Sequence, residues 1–267
     1  MTGALPPILL VGLGKMGGAM LAGWREQGLA QAVAVDPASP PAPGAEVTVV
    51  ADAGAVPAGF APAAVVLAVK PQHAAATLPQ YARHAGRAVF LSIMAGRTIA
   101  GLRVALGDQA AIVRAMPNTP AAIRQGITVA CAGPGVDATQ HALCDRLLAA
   151  IGSVAWVADE ALIDPVTAVS GGGPAYVFLL AELLEQAAIE QGIPADLARL
   201  LARRTVAGAG ALLAASGEDA AALRRAVTSP GGTTEQALAV LMADAAWPAL
   251  LSRAIAAATR RSRALAG

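Results

Sequence analysis

Three stretches of the chain join glycine to groups that could do chemistry. The first is Gly12-Leu13-Gly14-Lys15-Met16-Gly17, in G-x-G-x-x-G spacing. It follows the apolar run Ile8–Val11 and opens a helical pattern with Met16, Met20 and Leu21 on one face. Gly12 permits a tight bend, Gly14 lets the backbone approach a pyrophosphate, and Gly17 lets helix and strand pack closely. Free N–H groups at the helix start are donors to phosphate. The other two stretches are SGGGPAY at Ser170–Tyr176 and VTSPGGTT at Val227–Thr234. Each reads as a helix-breaking turn or as backbone that lies against a ligand. In the last, Pro230-Gly231-Gly232 precedes a helix. Its N–H groups make an anion site, to which Thr228, Ser229, Thr233 and Thr234 add hydroxyls.

Composition narrows the rest. A chain of 267 residues allows one large domain or two smaller ones. A net charge of +1 with no basic tract gives no electrostatic case for nucleic acid. Cys131 and Cys144 have no metal-ligand spacing and read as free thiols of a cytoplasmic protein. His73, His84 and His141 are scattered, so no metal centre is expected. Met1–Pro7 lacks the basic start of a signal peptide. The longest uncharged stretches, Ala53–Val69 and Pro165–Ala181, are interrupted by Gly and Pro, so no membrane span is expected. Among 19 basic residues only Lys15 and Lys70 are lysine, where a compact ammonium could be wanted.

The elements that must position these groups fall into two halves. Strands are expected at Ile8–Val11, Ala32–Val35, Glu46–Val50, Ala63–Val69, Ala88–Ile93, Ile112–Ala115, Ile127–Cys131 and Val154–Val157. Ile127–Cys131 is a candidate antiparallel strand. Helices are expected after the glycine turn, at Ala74–Ala85 and at Ala138–Ile151. This alternation argues for an α/β fold: a Rossmann-type, doubly wound, mostly parallel sheet over residues 1–159. Asp36 ends the second strand 19 residues after Gly17, where such a fold puts the acid that holds the ribose hydroxyls. Its competing role is a plain Asp-Pro turn. Lys70 and Pro71 end another strand, at the edge where ligands collect on open α/β sheets. After Asp159 strand patterns stop. Leu162–Ser170, Pro174–Gly192, Ala195–Ser216, Glu218–Ala226, Thr234–Met242 and Pro248–Leu265 all read as helix. Residues 160–267 are therefore an all-helical C-terminal domain, apolar enough to need burial on more than one side.

These motifs carry a resemblance. GLGKMG, AVKPQ at Ala68–Gln72, MPNTP at Met116–Pro120, LIDPVTAVSGGGPAY at Leu162–Tyr176 and VTSPGGTT together resemble the pyrroline-5-carboxylate reductase family, over Ile8 to about Leu265. Two departures are Gly172, where the family usually has Ser, and Ala226, where it often has Asn. The resemblance implies reduction of the C=N bond of 1-pyrroline-5-carboxylate to L-proline by NADPH or NADH. It implies cofactor binding by Gly12, Leu13, Gly14, Lys15, Met16, Gly17, Asp36, Ala68, Val69, Lys70, Pro71, Met94, Ala95 and Gly96. It implies a substrate site at Glu160, Ser229, Gly232, Thr233 and Thr234, with the Thr234 hydroxyl as catalytic partner of the ring nitrogen. It further implies a cytoplasmic homodimer formed by the helical half, with decamers in reach.

Chemistry and alternatives bound that expectation. Reducing an imine needs a hydride donor held close, a bound carboxylate and a donor to the ring nitrogen, and no nucleophile or metal. A β-hydroxyacid dehydrogenase pairs the same two kinds of domain but needs a lysine in the second, and no lysine follows Lys70. A non-catalytic NAD(P) sensor is the alternative from another class. Asp36 also bears on the cofactor: a carboxylate there accepts from ribose hydroxyls and repels a 2′-phosphate, and no arginine follows until Arg83. NADH is therefore expected to be well used.

Overall fold

The computed structural model describes residues 3–266. Its contacts divide the chain into two units, Met1–Gly171 with Ala258–Gly267, and Gly172–Ala257.

The first unit is built on one sheet. Its strands are β1 (Ile8–Val11), β2 (Ala32–Val35), β3 (Val47–Val50), β4 (Ala64–Leu67), β5 (Val89–Ser92), β6 (Ala111–Met116), β7 (Gly126–Ala132) and β8 (Gly152–Val157). They lie in the order β3-β2-β1-β4-β5-β6-β7-β8. All pairs are parallel except β6 with β7, which is antiparallel through Val113 opposite Ala132 to Met116 opposite Val129. Only the 3-10 turn Thr119–Ile123 separates β6 from β7, too few residues for a parallel crossover.

Both faces of the sheet are covered, which is why its central strands are apolar throughout. Ile8 and Leu10 face one core, with Met20, Leu21 and Trp24 of α1 (Lys15–Glu26) and Cys144, Leu147 and Leu148 further along the chain. Leu9 and Val11 face the other, with Leu78, Tyr81, Leu102 and Leu106. On the first face the Trp24 indole Nε1 donates to the Leu147 carbonyl at 2.8 Å, so α1 and α4 (Ala138–Ala149) are joined by a bond as well as by packing. An Asp137–Gln140 capping box starts α4.

Two local expectations need correcting. The helix expected over Ala74–Ala85 is one α-turn, α2 (Ala74–Thr77), followed by a 3-10 stretch over Leu78–His84. Pro79 has no N–H for an α-helical bond and crowds the preceding turn. A helix not expected at all, α3 (Ile99–Leu106), follows β5. Its signals were present: the Thr98 hydroxyl accepts from the Gly101 N–H at 3.1 Å, and Gly107 ends it at φ +88°.

From Glu160 to Glu190 the chain runs through consecutive helical segments. A 3-10 turn at Glu160–Leu162 leads into α5 (Ile163–Val166), then a wide π turn at Thr167–Gly171, then α6 (Gly173–Glu190). Gly172, a bend between the π turn and α6, interrupts the regular helix as expected. By length and composition alone Glu160–Glu190 could cross a bilayer. A Cβ on Gly171 would lie 2.7 Å from the tip of the flexible Met116 side chain, which would have to shift.

The second unit is helical. It contains α6, α7 (Ala195–Ala215), α8 (Ala220–Ala226), α9 (Thr233–Leu241) and the start of α10 (Trp247–Ala266). Gly192, at φ +87°, makes the reversal between α6 and α7. Arg199 and Glu185 tie the two helices at 3.1 Å. No residue of α6 is buried, and only Ala198 and Ala202 of α7 are.

Candidate functional site

The cofactor-type site lies at the carboxyl ends of β1, β2, β3 and β4. A cavity of about 470 Å³ opens there, lined by Gly12, Gly14, Asp36, Asp52, Lys70 and Tyr81 among others. The glycine turn explains its shape. Gly12 has φ +102°, and a Cβ on it would meet the Ala68 carbonyl oxygen at 2.8 Å. On Gly17 a Cβ would lie 2.1 Å from the Gly12 oxygen, so α1 can seat on β1 only with glycine there. Gly14 differs: nothing lies within 4 Å of where its Cβ would be. Internal packing requires the first and third glycines, and the second leaves backbone bare toward the cavity. Gly14 also caps α1 without any side chain, leaving first-turn N–H groups open. Those features fit a dinucleotide pyrophosphate.

Asp36 stands at the wall of this cavity. Its Oδ2 accepts from the Leu13 N–H at 2.8 Å and its Oδ1 from the Ala38 N–H at 3.0 Å. One carboxylate thus braces the glycine turn from the end of β2. Beside it, Asp52 caps a short turn after β3, accepting from Gly54 and Ala55. Burial, and to a smaller extent the Asp52 carboxylate, push the Tyr81 phenol up to about 12, with Arg83 opposing. Tyr81 is therefore a neutral wall at physiological pH.

Of the residues expected to bind cofactor, Gly12, Gly14, Asp36, Ala68, Val69 and Lys70 line the cavity. Leu13, Lys15, Met16, Gly17 and Pro71 flank it in sequence without lining it. Met94, Ala95 and Gly96 do not line it, because they follow β5, one strand beyond β4. Met94 turns its side chain into the core, and Gly96 at φ +65° packs against Leu265. Asp52, His73, Thr77, Gln80 and Tyr81 were not expected. Asp52 alone had a sequence signal, a capping acid two residues before glycine.

Glu160 is fixed on one side by two donors. Its Oε1 accepts from the Ile99 N–H at 2.8 Å and from Arg114 Nη1 at 3.0 Å. Arg114 is 2 % exposed and also faces Asp164 at 3.6 Å, whose Oδ1 accepts from the Ser262 hydroxyl at 2.8 Å. Glu160 therefore compensates a buried guanidinium and caps α3, with its side chain still 27 % exposed. Nothing in the sequence singles out Arg114, an ionic residue inside an apolar strand.

In the second unit, Ser229, Gly232, Thr233 and Thr234 gather at the start of α9. Gly231 turns the chain at φ +70° and Gly232 is the N-cap. Two donors of the expected anion site are already used: the Gly231 N–H by Glu235 Oε2 at 2.8 Å, and the Gly232 N–H by the Ser229 carbonyl at 3.0 Å. Thr234 is the second helical residue, so it is not the helix cap. Thr233 and Thr234 are exposed, and their hydroxyls make no hydrogen bond among the described residues. Among those residues no group of His, Cys, Asp and Glu could hold a metal ion.

Comparison with known proteins bears on both units. Residues 160–265 match the family described as pyrroline-5-carboxylate reductase dimerisation, and residues 7–96 match NADP oxidoreductase, coenzyme F420-dependent. A pyrroline-5-carboxylate reductase of Pseudomonas aeruginosa is 39% identical over 98% of this chain and 97% of its own. The solved structure of a pyrroline-5-carboxylate reductase from Coxiella burnetii aligns with TM-score 0.88 at 31% identity, over 98% of this chain and 99% of that one. That of the Plasmodium falciparum enzyme, with NADP bound, aligns with TM-score 0.81 at 26% identity, over 98% and 100%. With so close a relative matched from end to end, this chain belongs to the pyrroline-5-carboxylate reductase family.

Proposed function

We propose that this protein reduces 1-pyrroline-5-carboxylate to L-proline with NADPH or NADH. The observation that carries the reading is the start of α9, where exposed hydroxyls and first-turn N–H groups meet in a chain of this family. Residues 1–159 hold the dinucleotide, through the Gly12–Gly17 turn, Asp36 and Ala68–Pro71. A nicotinamide bound there supplies hydride to the imine carbon. Residues 160–267 hold the substrate. Ser229 and Thr233 orient its carboxylate by hydroxyl and N–H donation beside the bare backbone of Gly232, without a cationic side chain that would hold a small anion less directionally. The Thr234 hydroxyl donates to the ring nitrogen and steadies it as it becomes an amine. Glu160, fixed on one side by Arg114, keeps an exposed edge that can accept from a ligand.

Two copies form the working enzyme. The family model described as dimerisation begins at residue 160, where the long apolar helix also begins. A partner copy therefore covers α6 in this reading, and a bilayer does not. Assembly of dimers into decamers and a cytoplasmic location belong to the same proposal.

The test is oxidation of either dinucleotide with 1-pyrroline-5-carboxylate, followed by Thr234→Ala. A lost hydrogen bond to the reacting nitrogen lowers kcat by about tenfold for each ~1.4 kcal/mol of transition-state stabilisation removed. Unchanged kcat and KM in this variant would remove Thr234 from the chemistry.

A further inference from the structure

We infer that Asp36, held in place by the fold, makes NADH the preferred reductant over NADPH. The inference rests on the proposed function and deepens it by choosing the cofactor. Both carboxylate oxygens are anchored, Oδ2 by the Leu13 N–H at 2.8 Å and Oδ1 by the Ala38 N–H at 3.0 Å. The anchors come from opposite sides, the turn after β1 and the loop after β2. Turning the carboxylate away from the cavity would strip a partner from each N–H. A carboxylate offers about four acceptor positions, so about two remain free to accept from ribose hydroxyls. A 2′-phosphate has little or no proton to donate near pH 7 and brings a charge of roughly −1.5 to −2 against a fixed anion.

The surroundings add to the repulsion. Asp52 lines the same cavity from the end of β3, on the β2 side of the turn. Lys70 and His73 are the basic residues in the cavity wall, and both follow β4. The order β3-β2-β1-β4 puts β1 between the strand they follow and the strand that ends at Asp36, and the two strands lie about 10 Å apart. Neither nearby guanidinium is free. Arg25 pairs with Glu46 and lines a separate, smaller cavity, while Arg83 donates to the Ala53 carbonyl at 3.0 Å. Ser39, the first hydroxyl after β2, donates to the Asp36 carbonyl at 3.3 Å. On the β2 side of the cavity two acids, Asp36 and Asp52, line the wall and no arginine does.

The test measures binding and turnover separately. Titration of the full-length protein with NADH and NADPH, and with 5′-AMP and 2′-AMP as probes of the adenosine end, gives affinities without any reaction. At least tenfold tighter binding of NADH, with kcat/KM favouring it by a similar factor, is the expected result. Asp36→Ser should shift the ratio toward NADPH by tenfold or more, chiefly through Kd and KM. Asp36→Asn keeps an acceptor for the Leu13 N–H and removes the charge, so it should shift the ratio the same way even where the serine variant folds poorly. Equal or tighter binding of NADPH by the native protein overturns the inference, as does an unchanged ratio in Asp36→Asn. NADH-selective binding without oxidation by the imine substrate supports this inference and overturns the proposed reaction.

Discussion

The sheet unit and the helical unit use apolar residues in opposite ways. In the first, Ile8, Leu10, Leu91 and Val113 are fully buried, and each face of the sheet has its own core. In the second, Phe178 is 67 % exposed and Leu183, Leu200 and Leu212 are each about half exposed. Apolar side chains are thus satisfied within the chain in one unit and unsatisfied in the other. A contiguous apolar surface of this kind marks an interface. The sheet unit is complete within one chain, whereas the helical unit needs a second copy to bury what it carries.

The sharpest way to break that contrast is to charge the exposed face. Phe178→Arg should abolish dimers at micromolar concentration, because an unpaired charge in a dry interface costs several kcal/mol. Light scattering would read the mass, and turnover should fall with it. A dimer of unchanged stability would show that α6 faces solvent in the assembled protein. In the sheet unit the equivalent injury should behave differently. Leu91→Ala leaves a cavity in a closed core and should cost about 2–5 kcal/mol in denaturant unfolding, without altering the oligomer.

Glu160→Gln tests the ionic group inside the sheet unit. The amide can still accept from the Ile99 N–H, but Arg114 keeps only Asp164 as an anionic partner. A loss of about 1.5–3 kcal/mol is expected, the range for a hydrogen bond to a charged group. Burial chiefly, and then the Glu160 charge, push the Cys131 thiol up, so in this variant its titration should move down. A Cys131 titration that does not move would separate Glu160 from that environment.

The smallest effect concerns His84, also in the sheet unit. Burial first, then Arg83 and Arg87, hold its imidazole below the ordinary range, and its Nε2 accepts from Arg83 Nε at 3.3 Å. The unfolded chain therefore binds this proton at higher pH than the folded one. Stability should be full above the unfolded value of about 6.5 and decline as pH falls from there to the lower folded value. His84→Gln should flatten that part of a Tm-against-pH curve, and an unchanged curve would rule the residue out.

Sequence patterns located most of the elements because they encode local geometry. Runs such as Ile8–Val11 and Ala64–Leu67 are apolar on both faces, which only a doubly covered strand requires. G-x-G-x-x-G announced its own turn because bend, bare backbone and close packing each need glycine within six residues. Asp36 was legible for the same reason, since its distance from Gly17 is set by one helix and one strand. Pro79 carried the warning against a full α-helix at Ala74–Ala85, and Thr98 and Gly107 bracketed α3, but eight residues make a weak periodic signal.

Pairings between distant residues were decided by the tertiary structure. Arg114 meets Glu160 across 46 positions, and Asp164 meets Ser262 across 98. Met116 lies against Gly171, which no property of SGGGPAY reveals. Asp52 reaches the cavity because β3 pairs with β2, and Met94–Gly96 miss it because β5 lies beyond β4. Local motifs state which conformations and donors a segment offers, through sterics and periodicity that act over a few residues. Which of those groups become neighbours depends on strand order and on which faces are covered, and those follow from the packing of the whole chain.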